Sequence, residues 1–179
     1  ELDWTGATPK KKVSQSTQWL AGAGPIQLVW SPGAEQTFVS AIGAAHQRVQ
    51  FSSEVLTDAR VVTALANAAG RGVRVEVLMT DGNLDAATAR QLHSAGVHVV
   101  LTPDPDDEGA GAADTNTEVY VHQKTLLVDD ATAIVGSQNA SAASLNHNRE
   151  LSLRIESSSA VATLRAGYES VWQRYQSAA

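Results

Sequence analysis

His122 and Lys124 are separated by one residue, so on a β-strand both side chains leave the same face. The mostly apolar residues 125–128 lead from them to Asp129, and six more residues precede Gly136-Ser137-Gln138-Asn139, with Glu150 beyond. An imidazole, an ammonium, a hydroxyl and a carboxamide on neighbouring strands make a receptor for a phosphate. Of these groups only the imidazole can act as a nucleophile near neutral pH. A phosphodiester is cleaved most economically in two displacements: a nucleophile takes the phosphoryl group, then water or an alcohol removes it. The leaving alkoxide needs a proton from the opposite side of phosphorus, and one histidine cannot hold both positions. No second histidine is followed two places on by lysine: after His46, His93, His98 and His147 stand Arg48, Ala95, Val100 and Arg149.

Strands and helices must bring these groups together, and the hydrophobic pattern supplies them. Residues 26–30 form a short apolar run closed by Ser31-Pro32-Gly33, a first strand. Over 34–49 the apolar positions Phe38, Val39, Ile42, Ala45 and Val49 recur at helical spacing, and 49–54 then alternates as a strand. Thr57 can cap a helix running to Gly70 with Val61, Val62, Leu65 and Ala69 inward. Strand alternation over 73–79, a helix over 84–95 stopped by Gly96, and a strand over 97–101 follow. Three strands, 118–122, 124–128 and 131–136, come next, the last two joined by a turn at Asp129-Asp130. A strand over 149–155 and a closing helix over 159–176 finish the chain. Helix and strand alternate repeatedly, which predicts an α/β fold: a mixed, partly parallel sheet flanked by helices on both faces.

The remaining stretches carry less. Residues 1–24 read as a linker, with Lys10-Lys11-Lys12 as a solvated run that could also meet anionic lipid or phosphate. Residues 102–116 form an acidic loop beside the mouth of the site, placed either for solvation or to meet a cationic headgroup. The length, 179 residues, suits one domain over 25–179, and no run approaches the ~20 apolar residues of a membrane helix. Nineteen acidic against thirteen basic residues give a net charge of −6, which weighs against a general nucleic-acid binder. Without cysteine there are no disulfides or thiolate metal sites, and the redox compartment stays open. Glu1 is not a methionine, so targeting stays open too, secretion and a periplasmic location included.

The spacing of His122, Lys124, Asp129, Gly136, Ser137 and Asn139 resembles the phospholipase D superfamily signature, H-x-K, four residues, D, six residues, G-S/G-x-N. The resemblance extends to residues 28–32, to Arg71-Gly72-Val73-Arg74-Val75 and to Asn148-Arg149-Glu150-Leu151. These stretches are similar to the C-terminal half of bacterial two-motif, cardiolipin synthase-like proteins. Asp3-Trp4 is similar to the end of a preceding half, which implies a longer parent protein with residues 5–24 as the connector.

The resemblance implies a phosphodiesterase acting on phospholipid, by hydrolysis or phosphatidyl transfer, through a phosphohistidine. Two H-x-K motifs then meet at a pseudo-twofold axis, the second supplied from upstream or by another subunit, with no metal and no cofactor. His122 would be the nucleophile or its acid partner, and Lys124 and Asn139 would hold the non-bridging oxygens with Ser137 beside them. Glu150 would orient the imidazole, while Asp129 and Gly136 would be structural. Two rival readings remain: a homodimeric, metal-independent endonuclease, and an inactive half serving as a binding module.

Overall fold

The alternating and helical runs become eight strands and five helices in a computed structural model that describes residues 16–20, 24–103 and 121–176. In chain order these are β1 (Ser16–Leu20), β2 (Gly24–Ser31), α1 (Glu35–Gly43), β3 (Arg48–Ser52), α2 (Ala59–Gly70), β4 (Arg74–Thr80) and α3 (Ala86–Ser94). There follow β5 (His98–Thr102), β6 (Thr125–Val128), β7 (Thr132–Gly136), α4 (Ala142–Asn146), β8 (Glu150–Glu156) and α5 (Ser158–Gln176). One sheet holds all the strands in the order β1-β2-β8-β7-β6-β3-β4-β5. β3, β4 and β5 run parallel, with α2 and α3 as crossovers, and every other pairing is antiparallel. The expected α/β fold with a mixed, partly parallel sheet is therefore present.

Strand alternation divides the core between two faces. Val49 and Phe51 of β3, Val75 and Val77 of β4, and Leu126 and Val128 of β6 join the buried sides of α1, α2 and α3. Leu78, Leu127 and Ala133 leave the opposite face and pack under α5 with Val161, Tyr168 and Trp172. Tyr168 stacks on Trp172 with ring centroids 5.9 Å apart. Burial pushes the Tyr168 phenol well above its ordinary range, and the neighbouring Glu76 charge adds to this against Arg74, so the ring is a neutral core residue. Buried side chains of this size contribute roughly 1.5–3 kcal/mol each. A core on both faces can thus carry polar strand ends at the site.

Several expectations need correction. Residues 16–20, expected within a linker, form edge strand β1, paired antiparallel with β2. The helix expected over 34–49 ends at Gly43, and α2 is capped by Asp58 rather than Thr57, its carboxylate accepting from the Arg60 and Val61 amides at 3.0 Å. Strand pairing begins only at Thr125, so neither His122 nor Lys124 lies within a strand. Gly96 terminates the third helical segment with φ 85°, as expected of a left-handed stop. The acidic stretch 104–116, residues 118–120 of an expected strand, Asp3-Trp4 and the three lysines lie outside the described residues.

The turn between β6 and β7 is tied to the start of the neighbouring strand β3 by Asp129, a non-glycine residue at φ 49°. Its carboxylate accepts from the backbone amides of His46 at 3.0 Å, Gln47 at 2.8 Å and Arg48 at 2.9 Å. Arg165 of α5 holds the same turn through the Asp129 carbonyl and the Asp130 carboxylate. Burial acts to raise the Asp129 carboxyl, but the three amides and the His46 charge outweigh it and hold the group below the usual range. Asp129→Ala is expected to destabilise the fold by about 1–3 kcal/mol at neutral pH. Because the folded value is depressed, this contribution is present above ~4 and lost as pH falls through the folded value. Thermal melts of the two proteins should therefore differ at pH 7 and converge in acid.

Candidate functional site

Four neighbouring strands deliver the site to one end of the sheet. β3 finishes at Ser52, opposite Thr125 at the start of β6; β7 finishes at Gly136, opposite Ser152 near the start of β8. This is the carboxyl end of the parallel strands, where open α/β sheets generally place their ligands. Residues 53–54, 121–124 and 137–140 therefore meet although they lie far apart in the chain.

Residues 121–124 approach this edge without strand pairing. The Ser52 hydroxyl donates to the Gln123 carbonyl at 3.3 Å. Lys124 Nζ donates back to the His122 carbonyl at 3.1 Å, curling the segment so that ring and ammonium still reach one point. That point is a carboxylate oxygen, Glu54 Oε2. His122 Nε2 lies 2.8 Å from it, Lys124 Nζ 3.1 Å and Asn139 Nδ2 3.3 Å. The His122 side chain is 59% exposed and that of Lys124 only 7%, so the ring is accessible while the ammonium is sunk beneath it. A buried ammonium requires a counter-charge, and Glu54 supplies one.

Asn139 is aimed by its surroundings. The Ser53 hydroxyl lies 3.3 Å from its Oδ1, which turns Nδ2 toward Glu54. Ser53 Oγ also accepts the Ala140 amide at 3.1 Å, and the Thr57 and Asp58 amides donate to the Ala140 carbonyl at 2.9 Å. These bonds stitch the segment after β3 to the segment after β7. Gln138, buried between Ser137 and Asn139, anchors the second segment to β2 by donating to the Val29 carbonyl and the Ser31 hydroxyl. Gly136 precedes it where no side chain fits: a Cβ there would stand 2.4 Å from the Ser152 Cα.

Glu150 and Ser137 form a second, adjoining cluster. The Glu150 carboxylate accepts from Ser137 Oγ at 3.2 Å, Ser144 Oγ at 2.8 Å and Asn148 Nδ2 at 3.0 Å. Ser144 connects the clusters, since its hydroxyl also accepts the Asn139 amide at 2.8 Å. Of the residues read from the sequence, His122, Lys124 and Asn139 thus converge on one anionic oxygen. Ser137 and Glu150 pair beside them, and Asp129 holds the turn at the opposite end of β6.

Glu54 and Ser144 were not singled out in the sequence. Glu54 follows an alternating strand like any exposed carboxylate, and only the Ser52–Thr125 register puts it beside His122. Ser144 lies in α4, too short for a periodic signal. Among the described residues no group of three histidine, cysteine or acidic side chains is placed to hold a metal ion.

This geometry can be set beside known proteins. Residues 38–172, about three quarters of the chain, match the domain family described as "Cardiolipin synthase, PLD-like domain". Phospholipase D of Rickettsia conorii is 29% identical over 126 residues, covering 69% of this chain and 56% of that protein. Mitochondrial cardiolipin hydrolase of Xenopus tropicalis is 33% identical over 111 residues, covering 60% of this chain and 46% of that one. The chain thus spans about half the length of these curated relatives. In fold it is similar to Nuc, a phospholipase D family member from Salmonella typhimurium, with TM-score 0.68 and 20% identity over 84% of this chain and 95% of that one. NucT from Helicobacter pylori gives 0.64 at 18% identity, over 83% and 95%. The motif spacing and the three-quarter-length domain match agree, and the chain belongs to the phospholipase D superfamily.

Proposed function

We propose that this chain supplies one half of a phosphodiesterase site acting on phospholipid, with His122 as the group that takes the phosphoryl moiety. The observation that carries this reading is the convergence of His122 Nε2, Lys124 Nζ and Asn139 Nδ2 on a single anionic oxygen. A non-bridging phosphate oxygen offers these donors the same charge and the same acceptor geometry.

In the first step the His122 nitrogen attacks phosphorus, a P–N bond forms and the P–O bond to the leaving group breaks. The leaving oxygen takes a proton from a second imidazole, supplied by another half or another subunit. In the second step water, or an alcohol, gives its proton to that same imidazole and displaces His122 from phosphorus. Lys124 and Asn139 hold the non-bridging oxygens as charge builds on them, an effect that operates best in a partly desolvated site. Ser137 and Glu150 brace the loop that presents Asn139, linked through Ser144 to its amide.

The phospholipid assignment draws on the acidic balance of the chain and on the names of its relatives, a phospholipase D and a cardiolipin hydrolase. Parallel assays test it. Vesicles containing cardiolipin or phosphatidylcholine should release headgroup or phosphatidic acid, and excess EDTA should leave the rate unchanged, since lysine and asparagine supply the anion stabilisation. Nicking of plasmid DNA with intact vesicles would favour the endonuclease reading instead. Turnover should also require a dimer in light scattering or an added second half; full activity from a monomer would contradict the two-histidine scheme.

A further inference from the structure

We infer that Glu54 is a built-in competitor for the phosphate: its carboxylate sits in the phosphoryl seat of the free protein and must swing away before substrate enters. This inference rests on the phosphoryl-site reading above and adds a residue to it.

Three donors of different kinds, on two separate segments, meet the same atom, Glu54 Oε2, within 3.3 Å. A carboxylate serving only to neutralise Lys124 would need just one of them. The arrangement also bears on the nucleophile. An imidazole nitrogen 2.8 Å from a carboxylate oxygen holds its proton there, and its lone pair is then withheld from attack. The nitrogen aimed at the anion seat is Nε2, so attack on a bound phosphorus requires Glu54 to depart and the ring proton to stand on Nδ1, which frees the Nε2 lone pair.

Glu54 has room to leave. It lies beyond the last residue of β3, its side chain is 24% exposed, and the backbone around it is pinned through Ser53. Lys124 makes the exchange feasible in charge: its nearly buried ammonium keeps an anionic partner whether carboxylate or phosphate occupies the seat. Glu54 therefore weakens the binding of every phosphate anion to the site without taking part in the bond changes.

The test measures binding of inorganic phosphate to the full 179-residue chain by calorimetry, in wild type, Glu54→Gln, Glu54→Ala and the double variant Glu54→Gln/Lys124→Met. Thermal melts report folding, and the near-isosteric glutamine stands if the alanine variant proves unstable. Removing the carboxylate charge should tighten phosphate binding about tenfold or more, and the double variant should lose that gain. Wild-type binding with equal or weaker affinity in the folded Glu54 variants would overturn the competitor role and leave the phosphoryl site standing. Absence of phosphate binding in wild type and in both single variants would overturn the phosphoryl-site reading, and the competitor role with it.

Discussion

Replacing His122 by asparagine is expected to lower kcat/KM for phosphodiester cleavage by about 10⁴-fold or more while leaving the melting temperature within a degree or two. The magnitude follows from the loss of a covalent step, since removing a nucleophile commonly costs several orders of magnitude and leaves only residual positioning. Preserved folding follows from exposure. The ring is 59% accessible, whereas the fold is held by the two apolar clusters on either side of the sheet. Asparagine leaves a polar side chain that ends at the level of the ring Nδ1, short of Glu54, and offers no nitrogen lone pair able to attack phosphorus. Steady-state kinetics beside a thermal melt checks both halves. Near-normal turnover would remove His122 from the chemistry, and a collapsed melt would make the loss uninformative.

The second large effect is expected at Lys124. Lys124→Met keeps the length and apolar stem of the side chain, so the change removes mainly the charge from a nearly buried position. Negative charge on the non-bridging oxygens grows from ground state to transition state, so kcat should fall more than KM rises, by about 10²–10³-fold. Lys124→Arg is not expected to restore it, because a forked guanidinium cannot meet both the His122 carbonyl and the Glu54 oxygen as the compact ammonium does. A loss confined to KM, with kcat unchanged, would reassign Lys124 to ground-state binding.

Much of this was legible because period and spacing are local properties. The alternation of Val75 and Val77 gave β4, the 3.6-residue stripe Val61, Val62, Leu65 gave α2, and fixed residue types around His122 pointed to phosphate. Features set by tertiary register were not legible. Asp129 could be read as a turn residue, but not its grip on three amides more than eighty positions earlier. Residues 16–20, following a lysine run, carry too mixed a pattern to announce an edge strand; their partner β2 supplies the reason they pair. Glu54 shows the limit most clearly. Nothing in Ser53-Glu54-Val55 distinguishes that carboxylate until β6 is laid antiparallel against β3 and Lys124 arrives beside it. Thr57 and Asp58 are both competent caps, and the backbone chose the second.

The proposed mechanism requires phosphorus to become bonded to His122 during turnover. A substrate labelled with ³²P at the reacting phosphorus, mixed with active protein and quenched by denaturation within the first turnovers, tests it directly. Protein-bound label is expected that is acid-labile, stable to alkali, located on the peptide containing His122, and absent from His122→Asn. Sustained cleavage without such label, or label on any other residue of the chain, would contradict it.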